Sequence, residues 1–350
     1  MRLFITGGAG FIGTNLVQLA HRLGHEILVV DKLTYAGNRL SQANLEGKSG
    51  YQFLRADICD ASAMSAALVS FKPDAIMHLA AESHVDRSID GPGDFIATNV
   101  TGTFQLLQSS LGYWRGLTGE QKEKFRFLHV STDEVFGSLG PNDSAFSETT
   151  PYNPHSPYSA SKASSDHLAR AWMDTYGLPV VVTNCSNNYG PYQFPEKLIP
   201  VVILKCLRGE AIPVYGKGEN IRDWLYVDDH ARALLAAIEK GRPGHTYCIG
   251  GDNERRNIDL VKLLCSLLDE FRPRADGKPH ESAITYVTDR PGHDLRYAID
   301  ARRARAELGW APQENFESGF RKTVRWYLDN PAWVQGILNG SYRLERLGKI

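Results

Sequence analysis

Nowhere in its 350 residues does the chain hold an apolar run of the roughly 18 residues that a membrane span requires. The first predicted strand begins at Arg2, which leaves no room for a signal peptide. Cysteine is sparse: Cys59, Cys185, Cys206, Cys248 and Cys265 are scattered, odd in number and without metal-ligand spacing. They read as reduced thiols of a cytoplasmic protein, not as a disulfide framework. No HExxH pair occurs among the eleven histidines, so no metal is expected. His78, set in an apolar run, reads as a hydrogen-bonded core residue. Neither sign of charge dominates. The net charge of −1 excludes a basic footprint for nucleic acid and an acidic tail.

What is present is an ordinary globular composition, long enough for one large or two modest domains. The first half alternates short apolar runs with helical periodicity. Strands are predicted at Arg2–Thr6, Glu26–Val30, Tyr51–Arg55, Ala75–Leu79, Phe125–Val130 and Val180–Asn184. Helices are predicted at Phe11–Leu23, Phe95–Leu111 and Ala160–Tyr176, the last closed by Gly177 and Pro179. This alternation predicts an α/β fold, a Rossmann-type doubly wound parallel sheet covered on both faces. After Asn187, prolines and glycines loosen the pattern. Trp224–Lys240 reads as a strand end plus helix and His245–Ile249 as a strand; both are expected to return to the main sheet. The rest carries helices at Ile258–Phe271, Ala301–Leu308 and Phe316–Leu328 and a strand at Ile284–Val287. The expected division is a larger domain from 1–187 plus about 223–250, and a smaller α/β domain from about 188–222 plus 251–350.

Gly7, Gly10 and Gly13 lie in the segment Thr6–Gly13, directly after the first strand and at the start of the first helix; Phe11 and Ile12 complete it. Glycine is needed where backbone turns sharply and approaches a pyrophosphate, and where helix packs close to strand. The helix start then offers free N–H groups to the phosphates. Asp31 ends the second strand, close to the ~20-residue offset of a ribose-binding acid. A carboxylate there accepts ribose hydroxyls and repels a 2′-phosphate, so NAD is expected over NADP, with Lys32 next door. Asp57 and Ile58 follow the third strand and are placed to reach adenine. Leu79, Ala80, Ala81 and Ser83 follow the fourth, small residues where a cofactor passes close. The larger domain is thus expected to bind the dinucleotide and the smaller one the substrate.

Tyr158 and Lys162 form the only YxxxK in the chain, at the start of the helix that follows the fifth strand. Residues at i and i+4 share a helix face. A cationic lysine there stabilises tyrosinate and lowers a phenol pKa that starts near 10. Thr132, Asp133 and Glu134 follow the fifth strand, where α/β enzymes place their working groups. Thr132 is placed to bond a substrate hydroxyl. Crowded carboxyls have their pKa values pushed apart, which makes one an acid and the other a base.

These segments resemble the extended short-chain dehydrogenase/reductase family, in its nucleotide-sugar 4,6-dehydratase branch. The resemblance rests on Thr6–Gly13, Asp31–Gly37, His78–Ser88, Ser131–Gly137, Tyr158–Lys162, Asn184–Pro191, Phe194–Pro200, Arg222–Val227 and Asp289–His293. It implies bound NAD and dTDP-glucose as substrate, the thymidine by resemblance alone. It also implies an order of steps. Tyr158 takes the 4-hydroxyl proton as C4 is oxidised, Glu134 removes the C5 proton, and protonated Asp133 gives its proton to the leaving 6-hydroxyl. Hydride then returns to C6. The resemblance places Leu33, Thr34, Thr98 and Asn188, with Tyr158 and Lys162, at the cofactor. The nucleotide sugar is expected among Ser83, Thr132, Asn187, Lys197, Leu198, Pro213, Tyr215, Arg222, Asn257, Arg290 and His293. Lys197, Arg222 and Arg290 are its candidate diphosphate cations, because arginine matches phosphate oxygens in a fork. A second copy of the chain is the implied partner, through the helices Phe95–Leu111 and Ala160–Tyr176.

Two rival readings share much of this. A UDP-sugar 4-epimerase or nucleotide-sugar decarboxylase has the same fold, NAD and YxxxK, but an epimerase has no elimination for a carboxylate pair to perform. A non-catalytic dinucleotide sensor on this fold has no use for Tyr158, Lys162 or the carboxylates.

Overall fold

The computed structural model describes residues 1–289 and 293–338. Its first half runs β1 (Arg2–Thr6), α1 (Phe11–Arg22), β2 (Glu26–Asp31), β3 (Tyr51–Arg55), α2 (Ala61–Phe71) and β4 (Ala75–His78). Short pieces follow, α3 (Val85–Asp90), α4 (Pro92–Phe95) and a π-type turn (Ile96–Gly102), then α5 (Thr103–Gly116) and α6 (Gly119–Lys124). β5 (Arg126–Thr132), α7 (Pro157–Tyr176) and β6 (Val180–Cys185) complete it. The second half runs β7 (Asn187–Tyr189), α8 (Leu198–Arg208), β8 (Ile212–Tyr215), β9 (Ile221–Tyr226), α9 (Val227–Lys240) and β10 (Thr246–Ile249). It ends with β11 (Glu254–Arg256), α10 (Asn257–Phe271), β12 (Ile284–Val287), α11 (Phe316–Asp329) and α12 (Pro331–Leu338).

Seven parallel strands form the main sheet in the order β10-β6-β5-β4-β1-β2-β3. β4, β6 and β10 bury every residue, as strands covered on both faces do. Leu16, Val17, Leu234 and Ile238 pack on one face, and Leu68, Leu107 and Trp172 on the other. The order of connection reverses between β1 and β4, so a crevice opens beyond their carboxyl ends. A separate cluster, with the Tyr189 and Phe320 rings stacked at 3.9 Å, holds α8, α10 and α11 around β9.

Three expectations need correction. β10 joins the main sheet beside β6, but β9 does not; it sits between β7 and β11 in a three-stranded sheet. The helix expected over Phe95–Leu111 is broken by the π-type turn. The wider turn brings both Thr98 and Asn99 inward: Thr98 Oγ1 accepts from Lys32 Nζ at 3.1 Å, and Asn99 Nδ2 donates to Ser161 Oγ at 2.9 Å. The helix expected over Ala301–Leu308 is present from 302 but winds as a π-type helix over Ala304–Leu308, stopped by Gly309 at φ +66°. α8 went unpredicted because Pro195 and Pro200 suggest a loop; Pro200 lies in its first turn, where N–H groups have no helical partner anyway.

Candidate active site

The turn from β1 into α1 is packed backbone on backbone. Gly7 stands at φ +68°, and a Cβ there would lie 2.5 Å from the Ala80 nitrogen. A Cβ on Gly13 would lie 2.2 Å from the Gly7 oxygen. No side chain caps α1 at Gly10, so its start is left to whatever fills the crevice. Asp31 is fixed beside it: its two oxygens accept the N–H groups of Ala9 (3.0 Å) and Leu33 (2.8 Å), each keeping a further lone pair. Burial raises its carboxyl, against those hydrogen bonds and Lys32.

Twenty residues of α7 carry Tyr158 and Lys162. Ser156 and Ser159 close a capping box at its start, Pro157 fills N1, and Gly177 ends it in the left-handed region. Tyr158 is 8% exposed and Lys162 5%. Lys162 Nζ donates to the Val130 carbonyl at 2.9 Å. The register of β5 against β6 pairs Thr132 with Cys185, and a 3₁₀ turn then swings Asp133 and Glu134 into the same space. Thr132 Oγ1 accepts the Glu134 N–H at 3.2 Å and faces an Asp133 oxygen at 3.4 Å.

Electrostatics separates these groups. Asp133 is 1% exposed, and burial, then Glu134 and Asp223, push its carboxyl well above the ordinary range. That environment favours the protonated acid over the carboxylate. Burial and then Glu134 push the Tyr158 phenol well above its usual value; only the Thr132 hydroxyl is a lowering influence. The expected lowering by Lys162 is thus outweighed, because its hydrogen bond goes to the strand and the phenol lies buried beside carboxylates. Burial lowers Lys162, against Asp166 and Cys185.

A single cleft of about 490 Å³ gathers every residue expected at the cofactor, substrate or chemical positions except Leu33, Asp57 and Arg290. Leu33 turns away at φ +59° and serves Asp31 through its N–H. Asp57 lines a neighbouring hollow and faces Lys32 Nζ at 3.7 Å. Arg290 lies outside the described residues. Arg222 lines the cleft, 5% exposed, and its guanidinium also donates to the Ile221 and Asp294 carbonyls. Lys197 reaches the Ser83 carbonyl at 3.2 Å, and His293 meets the Tyr215 ring edge-on. The buried Oδ1 atoms of Asn187 and Asn257 have no protein partner, two acceptors set in the cleft wall. His78 bridges Thr6 and Thr103 in the core, as expected of it.

Several wall residues escaped the sequence reading. Glu196, its side chain 3% exposed, accepts from Arg87 Nε (3.2 Å) and Tyr35 Oη (3.3 Å), and Arg87 lies 3.7 Å over the Tyr35 ring. They tie α3 to two loops beside the cleft, and only tertiary contact reveals the pairing. Cys185 is the wall residue beside Lys162, its thiol pushed up to about 12 by burial.

Among known proteins, residues 4–323 match the family model described as GDP-mannose 4,6 dehydratase. The chain is 59% identical over 344 residues to a dTDP-glucose 4,6-dehydratase of Xanthomonas campestris pv. campestris, covering 98% of each chain. It is 58% identical to that of Neisseria meningitidis serogroup B, covering 99% of each. The crystal structure of the Streptomyces venezuelae dTDP-glucose 4,6-dehydratase with NAD and TYD bound superimposes with a TM-score of 0.87 at 44% identity, over 96% of this chain and 100% of that one. The glycine turn, the tyrosine and lysine of α7 and the paired carboxylates therefore sit in a matching whole, and the chain belongs to the dTDP-glucose 4,6-dehydratase family of extended short-chain dehydrogenases/reductases.

Proposed function

We propose that this chain converts dTDP-glucose to dTDP-4-keto-6-deoxyglucose and water, with NAD held throughout the cycle. The observation that carries the reading is Asp133, a carboxyl buried beside Glu134 in the same cleft as Tyr158, where its protonated form is favoured. An epimerase has no task for that acid.

The glycine turn and Asp31 fit a dinucleotide: a Cβ at Gly7 would fill the cradle, and Asp31 keeps lone pairs for ribose hydroxyls. Gly7, Gly10, Phe11, Ile12, Gly13, Asp31, Lys32, Thr34, Ile58, Leu79, Ala80, Ala81, Ser83, Thr98 and Asn188 would hold it. When bound, NAD supplies the hydride acceptor for C4 and the hydride donor for C6. Tyr158 accepts the 4-hydroxyl proton in its ionised form, which the Thr132 hydroxyl favours and burial and Glu134 oppose. The 4-ketone acidifies C5–H, and Glu134 removes that proton. Asp133 delivers its own to the 6-hydroxyl, which leaves as water, and C5 regains a proton as C6 is reduced. Asn187 and Asn257 offer acceptors to hydroxyl or N–H groups of the nucleotide sugar, and Lys197, Arg222 and Arg290 offer cations to its diphosphate.

We assign the dinucleotide to residues 1–187 with about 223–250 and the nucleotide sugar to about 188–222 with 251–350. The partner is a second copy across the π-type turn, α5 and α7, where Ile96, Phe104 and Tyr176 are exposed. No helix among the described residues is long and apolar enough to cross a membrane, and all five cysteines are free, which suits the cytoplasm.

Substrate deuterated at C4 tests the reaction. The label is expected in the C6 methyl group of the product. A product methyl without deuterium sinks the proposal.

A further inference from the structure

Asp166 is a buried carboxylate to which this reaction gives no task. It lies four residues beyond Lys162 on α7, as Lys162 lies four beyond Tyr158, so the three share one side of the helix. Its side chain is 0% exposed. One oxygen accepts from His129 Nε2 at 3.0 Å, and the other from Tyr152 Oη at 2.8 Å and Asn184 Nδ2 at 3.2 Å. Burial opposes its charge, but the His129 hydrogen bond, with further help from Lys162, holds the carboxyl below its ordinary range. Burial also keeps His129 neutral. The core therefore contains an anion held by hydrogen bonds from His129, Tyr152 and Asn184.

An anion in the core persists only where a cation answers it. Lys162 is that cation, and its own hydrogen bond goes to the Val130 carbonyl. The groups facing Lys162 are His78 on β4, His129 on β5, Cys185 on β6, and Tyr158 and Asp166 on its own helix. Both histidines are uncharged and the thiol is protonated, so Asp166 is the one full negative charge in that set. Arg170, one turn beyond Asp166 on α7, donates to Tyr152 Oη at 2.6 Å. Asn184 ties the same carboxylate to the catalytic turn, because its Nδ2 also donates to the Thr132 carbonyl at 3.0 Å.

We propose that Asp166 is a positioning residue for the reaction, a buried anion one helical turn behind Lys162 that keeps the Lys162 side chain cationic and, through Asn184, braces the Thr132 end of β5. It acts through Lys162 and Thr132 and touches neither substrate nor cofactor.

Asp166→Asn removes the charge and little else. The new amide oxygen still accepts from Tyr152 and Asn184. His129 Nδ1 has no partner, so the ring can move its proton there and accept from the new amide at Nε2. In protein labelled with ¹⁵N-lysine, the Lys162 Nζ titration midpoint is expected to fall by about one unit or more. The alkaline limb of turnover on dTDP-glucose is expected to move to lower pH by the same amount. Tyr152→Phe strips one hydrogen bond and keeps the charge; its Lys162 midpoint must not fall. Superimposable titrations for wild type and Asp166→Asn overturn the proposal. So does a fall in Tyr152→Phe, which decides the matter even if Asp166→Asn does not fold. The inference rests on the proposed reaction only for its turnover arm: an inactive wild type retires that reaction, while the lysine titration still judges Asp166.

Discussion

A carboxyl that must release a proton at neutral pH needs a reason to have kept it. Asp133 has three: burial, the adjacent Glu134, and Asp223 from β9. The first two were legible in the sequence, since an acidic pair straight after a strand points into the crevice of such a fold. Asp223 was not, because it lies ninety residues away and meets Asp133 only through the second sheet. The division of labour predicts a split phenotype. Asp133→Asn with Glu134→Gln is expected to cut turnover roughly 10²–10⁴-fold, the usual worth of positioned acid–base groups. It still oxidises C4, so bound reduced nicotinamide accumulates in a single-turnover absorbance trace. Tyr158→Phe shows no such signal. Product formation by the double carboxamide variant at the native rate contradicts the assignment.

At the level of elements, what could be read was whatever local chemistry decides. The main-sheet strands, α1 and α7 follow from period, caps and glycines that sit next to each other in the chain. The errors fall where tertiary contact decides: β9 pairs in another sheet, and the π-type turn exists to place Thr98 and Asn99. The glycine turn gives the sharpest test of a local reading. Gly7 and Gly24 both have positive φ, at +68° and +81°. A Cβ at Gly24 meets nothing within 4 Å, whereas at Gly7 it meets the backbone of Ala80. Both Gly→Ala changes carry the left-handed penalty of about 1–2 kcal/mol. Only Gly7→Ala also forces β1 and the end of β4 apart, which closes the cofactor cradle. Calorimetric titration with NAD is expected to show loss of binding for Gly7→Ala and native affinity for Gly24→Ala. Equal affinities for the two variants exclude the cradle as the binding determinant.

For the molecule as a whole, stability against pH is set by buried groups that no sequence pattern announces. His230 on α9 bonds Asn188 Oδ1 at 2.9 Å through Nδ1, and its Nε2 is buried without a partner. Burial pushes it down to about 3, from 6.5 in an unfolded chain. Between those values the unfolded chain binds a proton that the folded one refuses, so stability falls as pH drops, by about 1.4 kcal/mol per unit. Asp223 works in the opposite direction. Burial raises it to about 6, against the Asn253 and Gly251 N–H groups, so the folded chain holds a proton that the unfolded one has lost. Below pH 6 that proton adds stability. The two slopes nearly cancel in the wild type between about pH 6 and 4, and single substitutions uncover them. From pH 7 to 5, His230→Gln is expected to lose roughly 2 kcal/mol less than wild type, and Asp223→Asn about 1.4 kcal/mol more. Urea unfolding of the three proteins at both pH values measures this. Parallel changes in all three would mean that neither group titrates apart from its unfolded value, and the account of a neutral histidine buttressing Asn188 at the cleft wall would fail with it.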